Sequence, residues 1–271
     1  MIKVWKDKMD KYKFTIITVC YNAEQYIEKT IKSVLSQQCN DYEYIIKDGK
    51  STDNTMKIVY AMIPDSDRFK IISEPDEGIY DAMNFCVRRA KGEYIYFLNA
   101  GDYFVNNFVL RDTKSFLSQN VVDIAYGNIV QVYAKGKESF RRYGKICAKK
   151  LYFLSGDCIC HQSMFVKRVL FEEKEFDLNY KVCADREWQL YFIDNKKLFI
   201  PMSFEVAAVL VDGFSANHLK DFESESIQCV EKYCKNLAWI YKCINRMKYN
   251  TFCVKMLRAI GNICFVRSKR K

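Results

Sequence analysis

Acidic and amide side chains recur in four short segments of the first hundred residues. The segments read Cys-Tyr21-Asn22, Asp48-Gly-Lys-Ser-Thr-Asp, Glu-Pro-Asp-Glu-Gly78 and Asn99-Ala-Gly-Asp102. Side chains of these types can bind a polar ligand or a cation, and each one alone can also form a turn or a helix cap. Their recurrence therefore suggests a binding site only if the fold brings the four segments together.

The chain between these segments alternates between two hydrophobic periods. Short apolar, β-branched runs predict strands, and apolar residues at helical spacing predict the helices between them. The predicted strands cover residues 14–19, 44–46, 69–72 and 94–98, and the predicted helices cover 23–37, 52–63 and 79–90, the second capped by Ser51 or Thr52. This β-α-β-α-β-α-β order predicts an α/β fold with a mostly parallel sheet flanked by helices.

Each polar segment follows one of the four predicted strands. In an open parallel sheet, ligands bind outside the carboxyl ends of the strands. We therefore expect the four segments to meet at one edge of the sheet. Beyond residue 105 the pattern is weaker, with a helix near 105–119, strands near 121–133 and a helical segment from about 221 onward.

Several common sites are excluded by spacing. Gly49-Lys50-Ser51 resembles the end of a phosphate-binding P-loop, but Tyr44 occupies the position of the first glycine that the loop needs. No Gly-x-Gly-x-x-Gly follows the first strand, and no Gly-x-Ser-x-Gly is present. Cys158, Cys160 and His161 lack the fourth ligand of a structural zinc site.

The four segments, in this order and spacing, resemble the family 2 glycosyltransferases, inverting enzymes of the GT-A (Rossmann-like) fold that include bacterial polysaccharide and glycan enzymes. The matching sequences are FTIITVCYNAEQYIEKTIKSVLSQ, YIIKDGKSTDNT, ISEPDEGIYDAMN and KGEYIYFLNAGD. The resemblance continues through Cys160-His161-Gln162-Ser163 to Ala184-Asp185-Arg186-Glu187-Trp188, and so covers about residues 14–215.

The resemblance implies that the first three segments hold a nucleotide-sugar. By position these contacts are Tyr21, Asn22 and Asp48, together with Gly78 and Asn84. Asp76 and Asp81 are weaker candidates in the same region, whereas we interpret Asp53 as a turn or cap residue of the second helix.

The resemblance also implies a Mg or Mn ion at the end of the fourth strand. The family's Asp-x-Asp element is here Asn99-Ala100-Gly101-Asp102, so Asp102 is its one remaining carboxylate. One carboxylate with diphosphate oxygens and water can bind Mg²⁺. We expect Asp102 to bind the metal and Asn99 to contact the donor.

For the catalytic base, the resemblance points to Asp185 before a predicted helix, with Glu187 as a rival. An inverting displacement needs a carboxylate within hydrogen-bonding distance of the acceptor hydroxyl. His161 and Gln162 are expected to contact the acceptor or a phosphate, or else to be structural. His218 is a weaker candidate.

The net charge of +10 is carried by the C-terminus. Residues 232–271 contain 11 basic residues and no acidic one, and the rest contains 32 basic and 33 acidic residues. This distribution argues against a nucleic-acid-binding body. We predict a glycosyltransferase domain over 1–220 and a basic helical extension over 221–271, which either contacts an anionic membrane surface or packs on the body. No secretory signal or spanning segment is recognised, so we expect a cytoplasmic protein, peripheral on the inner face of the cell membrane if the extension binds lipid.

The predicted function is transfer of a sugar, with inversion, from a nucleotide-diphospho-sugar to a glycan or lipid-linked acceptor. UDP is the expected nucleotide. Because the metal element has lost one carboxylate, a non-catalytic nucleotide-sugar-binding or scaffold protein of the same fold remains an alternative. A basic RNA- or partner-binding protein is a third.

Overall fold

A computed structural model describes residues 11–133, 136–144, 148–153, 157–211, 218–238 and 242. The strands are β1 (Tyr12–Cys20), β2 (Tyr42–Asp48), β3 (Phe69–Ser73), β4 (Gly92–Phe97), β5 (Tyr103–Phe104), β6 (Ile124–Val132), β7 (Glu138–Arg141), β8 (Met164–Lys167) and β9 (Phe199–Leu210). The helices are α1 (Ile27–Leu35), α2 (Thr55–Met62), α3 (Ile79–Val87), α4 (Val109–Gln119), α5 (Lys150–Phe153), α6 (Arg168–Glu173), α7 (Ala184–Asp194) and α8 (Leu219–Tyr233). The predicted α/β class is confirmed.

The first half of the sheet is parallel, in the order β3-β2-β1-β4. Its inner strands are buried, as their continuous apolar runs predict. Two helices begin later than the sequence predicts. Turns precede them: the carbonyl of Ala23 accepts hydrogen bonds from the amides of Tyr26 and Ile27, and Asp53 accepts the amide of Thr55. Asn54, rather than Ser51 or Thr52, is the cap residue of α2.

The second half of the sheet is mixed, and it extends the parallel half in the order β4-β8-β6-β9-β5, with β7 paired to β6. Strand β8 runs antiparallel to β4 and β6. The 3₁₀ turn His161–Ser163 leads directly into β8, so it lies beside the end of β4. This pairing brings residues 161–163 to the edge where the first four polar segments end.

Helix α7 is anchored by an aromatic cluster. The ring of Trp188 stacks on Phe171 of α6 with centroids 4.8 Å apart, and its centroid lies 6.0 Å from that of Phe176. Its indole N–H donates to the carbonyl of Lys174 at 2.7 Å. Rings packed in this way fix the rotation of α7 about its axis. The first turn of α7, which contains Asp185, is therefore held at the sheet edge.

Helix α8 packs on α7 through a buried ion-pair cluster. The fully buried Glu187 carboxylate accepts a hydrogen bond from the ammonium group of Lys232 at 2.7 Å and forms an ion pair with Lys174 at 3.2 Å. Tyr233 donates a hydrogen bond from its hydroxyl to the same carboxylate. A buried carboxylate requires such partners. Helix α8 is thus attached to the α/β body rather than separate from it.

Most of the basic extension, residues 239–241 and 243–271, lies outside the described residues. Within the part that the structure describes, no helix is both long and apolar enough to cross a membrane.

Candidate functional site

The loops after β1 and β2 are joined by hydrogen bonds at the carboxyl edge of the sheet. Asn22 accepts the amide of Thr52 at 2.9 Å through its side chain, and its own amide donates to the Ser51 hydroxyl at 2.8 Å. The φ angle of Asn22 is +48°, a left-handed conformation that asparagine tolerates. The adjacent Tyr21 ring is 63% exposed. These contacts present the Tyr21 ring to solvent at the position where a base or ribose is expected.

Asp48 organises this edge from inside the protein. Its buried carboxylate accepts the amides of Lys50 and Ser51 at 3.1 Å and the hydroxyl of Ser73 at 2.7 Å. The Ser51 hydroxyl donates to it as well. The oxygens of Asp48 thus hold the β2 and β3 loops in place, and its direct contact with a nucleoside stays a prediction.

The β3 loop is fixed by a buried lysine. The ammonium of Lys47 donates to Asp76 Oδ2 at 2.9 Å and to the carbonyl of Asp48 at 3.0 Å. Asp76 in turn accepts the amide of Gly78 at 3.2 Å. Gly78 has a φ of +119° and open space beside its Cα. The backbone conformation, and not close packing, therefore requires a glycine at this position. The weaker candidate Asp81 accepts the amide of Glu77 at 3.1 Å.

Asn84 does not reach the open edge. Its side chain is 1% exposed, donates to the carbonyl of Phe176 at 2.9 Å and accepts the amide of Phe176 at 3.0 Å. Both polar groups of the amide are thus used to connect α3 to the segment before α7. The predicted contact of Asn84 with the donor stays a prediction.

Asp102 lies buried behind the end of β4. Its Oδ1 accepts the backbone amide of Leu210 at 3.0 Å, and its Oδ2 accepts the side-chain amide of Gln162 at 2.9 Å. Burial raises the pKa of the Asp102 carboxyl from 3.8 to about 6, although these two hydrogen bonds oppose the rise. Gly101, with a φ of +103°, makes the turn between Asn99 and Asp102.

Asn99 donates its side-chain amide to His161 Nε2 at 3.1 Å, and its Oδ1 is buried with no hydrogen-bond partner among the described residues. An unpaired buried oxygen is costly and is a suitable ligand for a hard cation or an acceptor for a ligand hydroxyl. No group of three or more His, Cys, Asp or Glu side chains is placed to hold a metal in the described ranges. Asp102 and Asn99 supply oxygen atoms of the type that a divalent ion takes together with several water ligands.

His161 and Asp185 form a side-chain dyad at the same edge. His161 Nδ1 lies 3.1 Å from Asp185 Oδ2, and the two side chains are 14% and 13% exposed. Because a carboxylate accepts only, Nδ1 carries the proton of this bond and Nε2 accepts from Asn99. Both side chains are thus mostly, but not fully, buried at this edge.

The other oxygen of Asp185 is held by α7 and α3. Its Oδ1 accepts the amide of Arg186 at 2.8 Å and lies 3.1 Å from the hydroxyl of Tyr80. Tyr80 is also 2.8 Å from the carbonyl of Val182, so its hydroxyl bridges the two acceptors. The sequence offers no signal for this role, because Tyr80 lies among the apolar positions of α3 and matches a core residue.

The rival base Glu187 is fully buried in the ion-pair cluster between α7 and α8, and so it has no access to a substrate. His218 begins α8, and residues 212–217 before it lie outside the described residues. Asp53 binds the amides of Thr55 and Glu24 at 3.0 and 3.1 Å, which is the turn role predicted for it.

Comparison with known proteins identifies relatives of this chain. The sequence model of glycosyl transferase family 2 matches residues 15–172. A PGL/p-HBAD biosynthesis glycosyltransferase of Mycobacterium tuberculosis is 31% identical over 188 residues, which are 68% of this chain and 71% of the relative. The hyaluronan synthase of Pasteurella multocida is 34% identical over 112 residues, 41% of this chain and 12% of that protein.

Solved structures share the fold. Residues 1–349 of S. aureus TarS in complex with UDP-GlcNAc superpose with a TM-score of 0.63 at 17% identity, covering 82% of this chain and 67% of that one. The mannosyltransferase PcManGT from Pyrobaculum calidifontis, in complex with GDP-Man and Mn²⁺, has a TM-score of 0.61 at 16% identity and covers 97% of this chain and 79% of its own. The predicted GT-A architecture is confirmed by these similarities.

Proposed function

Because this chain belongs to glycosyl transferase family 2, we propose that it transfers a sugar, with inversion, from a nucleotide-diphospho-sugar to an acceptor hydroxyl. The observation that carries this proposal is the arrangement of Asp185 and Asp102, two carboxylates linked to adjacent residues of one turn. One is partly exposed and bound to His161, and the other is buried at the end of β4. Such unlike environments suit one carboxylate for proton transfer and the other for the diphosphate side.

Asp185 is the proposed base. In a single in-line displacement, the acceptor oxygen forms a bond to the anomeric carbon while its proton passes to Asp185. The bond from that carbon to the diphosphate breaks, and its electron pair leaves with the nucleoside diphosphate. His161, Tyr80 and the amide of Arg186 orient the carboxylate, since they bind both of its oxygens.

Asp102 and the Oδ1 of Asn99 would hold a divalent Mg or Mn ion together with the diphosphate. When bound, that ion neutralises the negative charge that develops on the leaving group. Asp102 must be ionised to bind it, and the hydrogen bonds from Gln162 and Leu210 favour the ionised form. The His161 imidazole lies beside Asn99, so its two ring nitrogens link Asn99 to the proposed base Asp185.

For the donor we propose a UDP-sugar, bound along Tyr21, Asn22 and Gly78, with a glycan or lipid-linked acceptor near His161. A melting-temperature panel of nucleotide-sugars, with and without Mn²⁺, tests the donor class, because ligand binding to the folded state raises that temperature. A rise with a UDP-sugar above that with a GDP-sugar supports UDP. If no nucleotide-sugar raises the melting temperature above that of the protein alone, the proposal that the protein binds a nucleotide-sugar donor is contradicted.

A second candidate is a nucleotide-sugar-binding protein of the same fold that performs no transfer. It is favoured by one observation: both oxygens of Asp102 already accept protein hydrogen bonds. Release of nucleoside diphosphate from the donor, measured with Mn²⁺ and a panel of glycan and lipid-linked acceptors, separates the two. Binding without release would support the second candidate.

Residues 232–271 are proposed to contact an anionic membrane surface, because the segment contains 11 basic residues and no acidic one. Flotation with phosphatidylglycerol vesicles tests this, comparing the full chain with a chain ending at residue 238. Salt-sensitive binding by the full chain alone is expected. Equal binding by the two chains would contradict it.

A further inference from the structure

We propose that Glu225 of α8 is a positioning residue for Asp185, so that the C-terminal helix is part of the catalytic unit. This inference rests on the proposed role of Asp185 as the base. Glu225 lies outside the segment matched by the family sequence model, which ends at residue 172. It also lies in the part of the chain, residues 221–271, that the sequence assigns to a basic helical extension.

The Glu225 carboxylate binds three consecutive backbone amides. Its Oε1 accepts the amide of Lys181 at 2.8 Å, and its Oε2 accepts those of Val182 and Cys183 at 2.9 and 2.8 Å. Glu225 is 7% exposed. A buried carboxylate that receives three N–H donors fixes the path of the segment 181–183.

This segment leads directly into the base. Cys183 is the N-cap residue of α7, and its side chain makes no capping hydrogen bond. Asp185 is the second residue of the helix, so a displacement of residues 181–183 is transmitted to it within two residues. Glu225 thus supplies from α8 the fixation that the helix start lacks locally.

Tyr80 connects the same segment to the Asp185 carboxylate. Its hydroxyl bridges the carbonyl of Val182 and Oδ1 of Asp185. The backbone of Val182 is therefore held at its N–H by Glu225 and at its carbonyl by Tyr80. The position of Asp185 is set by contacts from α3 and α8 together.

Further contacts along α8 keep Glu225 in register. Cys183 Sγ lies 3.5 Å from the hydroxyl of Ser226 and 3.6 Å from the carbonyl of Phe222. Cys229 Sγ lies 4.0 Å from the carbonyl of Cys183. Residues 222, 225, 226 and 229 have the spacing of one helical face. This face of α8 therefore packs against the segment before α7.

Glu225→Gln tests the proposal with little change of volume. Its amide can accept the protons of Val182 and Cys183 through the oxygen, but its NH₂ group then faces the amide of Lys181. The hydrogen bond from the Lys181 amide to Glu225 is then replaced by two N–H groups that face each other. Residue 181 must move to relieve this contact. The matched control is Glu223→Gln, which changes an exposed glutamate of the same helix.

Three readouts are measured on the full chain: melting temperature, steady-state kinetics, and the ring NMR shifts of His161. Kinetics follow release of nucleoside diphosphate from UDP-N-acetylglucosamine or GDP-mannose, whichever raises the melting temperature more. Since the chain has two histidines, His218→Gln assigns the ring signals. His161 contacts Asp185 and therefore reports its position without requiring turnover.

For Glu225→Gln we expect kcat to fall about ten- to a hundredfold, because a shift of about 1 Å in a reacting group has that cost. The donor KM should stay within about twofold, and the His161 ring shifts should change. Glu223→Gln should match the wild type in all three readouts. If Glu225→Gln does not fold, Glu225→Asp is measured in the same way.

A folded Glu225 variant with wild-type kcat or with unchanged His161 ring shifts would overturn the proposal. If the wild-type protein releases no nucleoside diphosphate, the proposed function fails. The NMR comparison then still decides whether Glu225 positions Asp185.

Discussion

His161 Nδ1 lies 3.1 Å from Asp185 Oδ2, and the next residue, Gln162, donates its side-chain amide to Asp102 Oδ2 at 2.9 Å. One short turn before β8 therefore binds the proposed base with one residue and the proposed metal carboxylate with the other. Because the two bonds come from adjacent residues, the separation of the two carboxylates is fixed by a rigid element. Sugar transfer requires such fixed spacing, since the acceptor and the diphosphate lie on opposite faces of the sugar.

Asp185→Asn should lower transfer or donor hydrolysis by at least about a hundredfold, because removal of a general base costs roughly that factor. Donor affinity, measured by calorimetry, should stay near the wild-type value, since the amide oxygen can still accept from His161. The control is Asp194→Asn at the other end of α7, whose carboxylate forms a surface pair with Lys150. Wild-type turnover in Asp185→Asn would end the assignment of the base.

Removal of divalent ions should abolish transfer, and Mn²⁺ or Mg²⁺ should restore it. The physical reason is the uncompensated charge of the leaving diphosphate. Asp102→Ala should not regain activity at Mn²⁺ concentrations that saturate the wild type. Full activity of the wild type in a chelator, with no metal added, would contradict a metal role for Asp102.

The contribution of Asp102 to the stability of the metal-free protein should fall as pH rises from about 4 to about 7. The pKa of Asp102 is raised from 3.8 to about 6 in the folded state, so the folded protein binds more protons than the unfolded chain between those values. The contribution lost amounts to roughly 2–3 kcal/mol, since one pKa unit corresponds to 1.36 kcal/mol.

Urea unfolding at several pH values measures this slope. Asp102→Asn removes the titrating group and should flatten the fall, while the remaining carboxyl groups titrate as before. An equal slope in the wild type and in Asp102→Asn would show that Asp102 does not titrate in this range.

Glu187→Ala should lower the free energy of unfolding by about 3–5 kcal/mol, because Lys174 then lacks its buried partner. Urea unfolding checks the value, and Glu173→Ala, which breaks the exposed pair with Lys197, is the control. The folded fraction of Glu187→Ala should keep more than about a tenth of the wild-type kcat. A loss as large as that of Asp185→Asn would instead make Glu187 a candidate base.

Hydrophobic periodicity predicted the parallel half of the sheet because it reports local burial. The runs that became β1, β2 and β4 are almost entirely buried, so each is recognisable without its neighbours, whereas the edge strand β3 is only half-buried. Helix starts were less predictable. The starts of α1 and α2 depend on hydrogen bonds between the loops after β1 and β2, which sequence spacing does not contain.

The sequence alone determined which residue types are present at the strand ends: Asn22, Asp48, Asn99 and Asp102 each follow a buried apolar run. Tertiary structure decided which protein groups these side chains contact. Asp48 and Asn84 are held by internal hydrogen bonds, and Glu187 by an ion-pair cluster, because a buried polar group must find partners within the fold. Tyr80 and Glu225 hold the segment around Asp185 because α3 and α8 pack against it. In the sequence these two residues lie 105 and 40 positions from Asp185. Such pairings arise from long-range packing, and no local pattern encodes them.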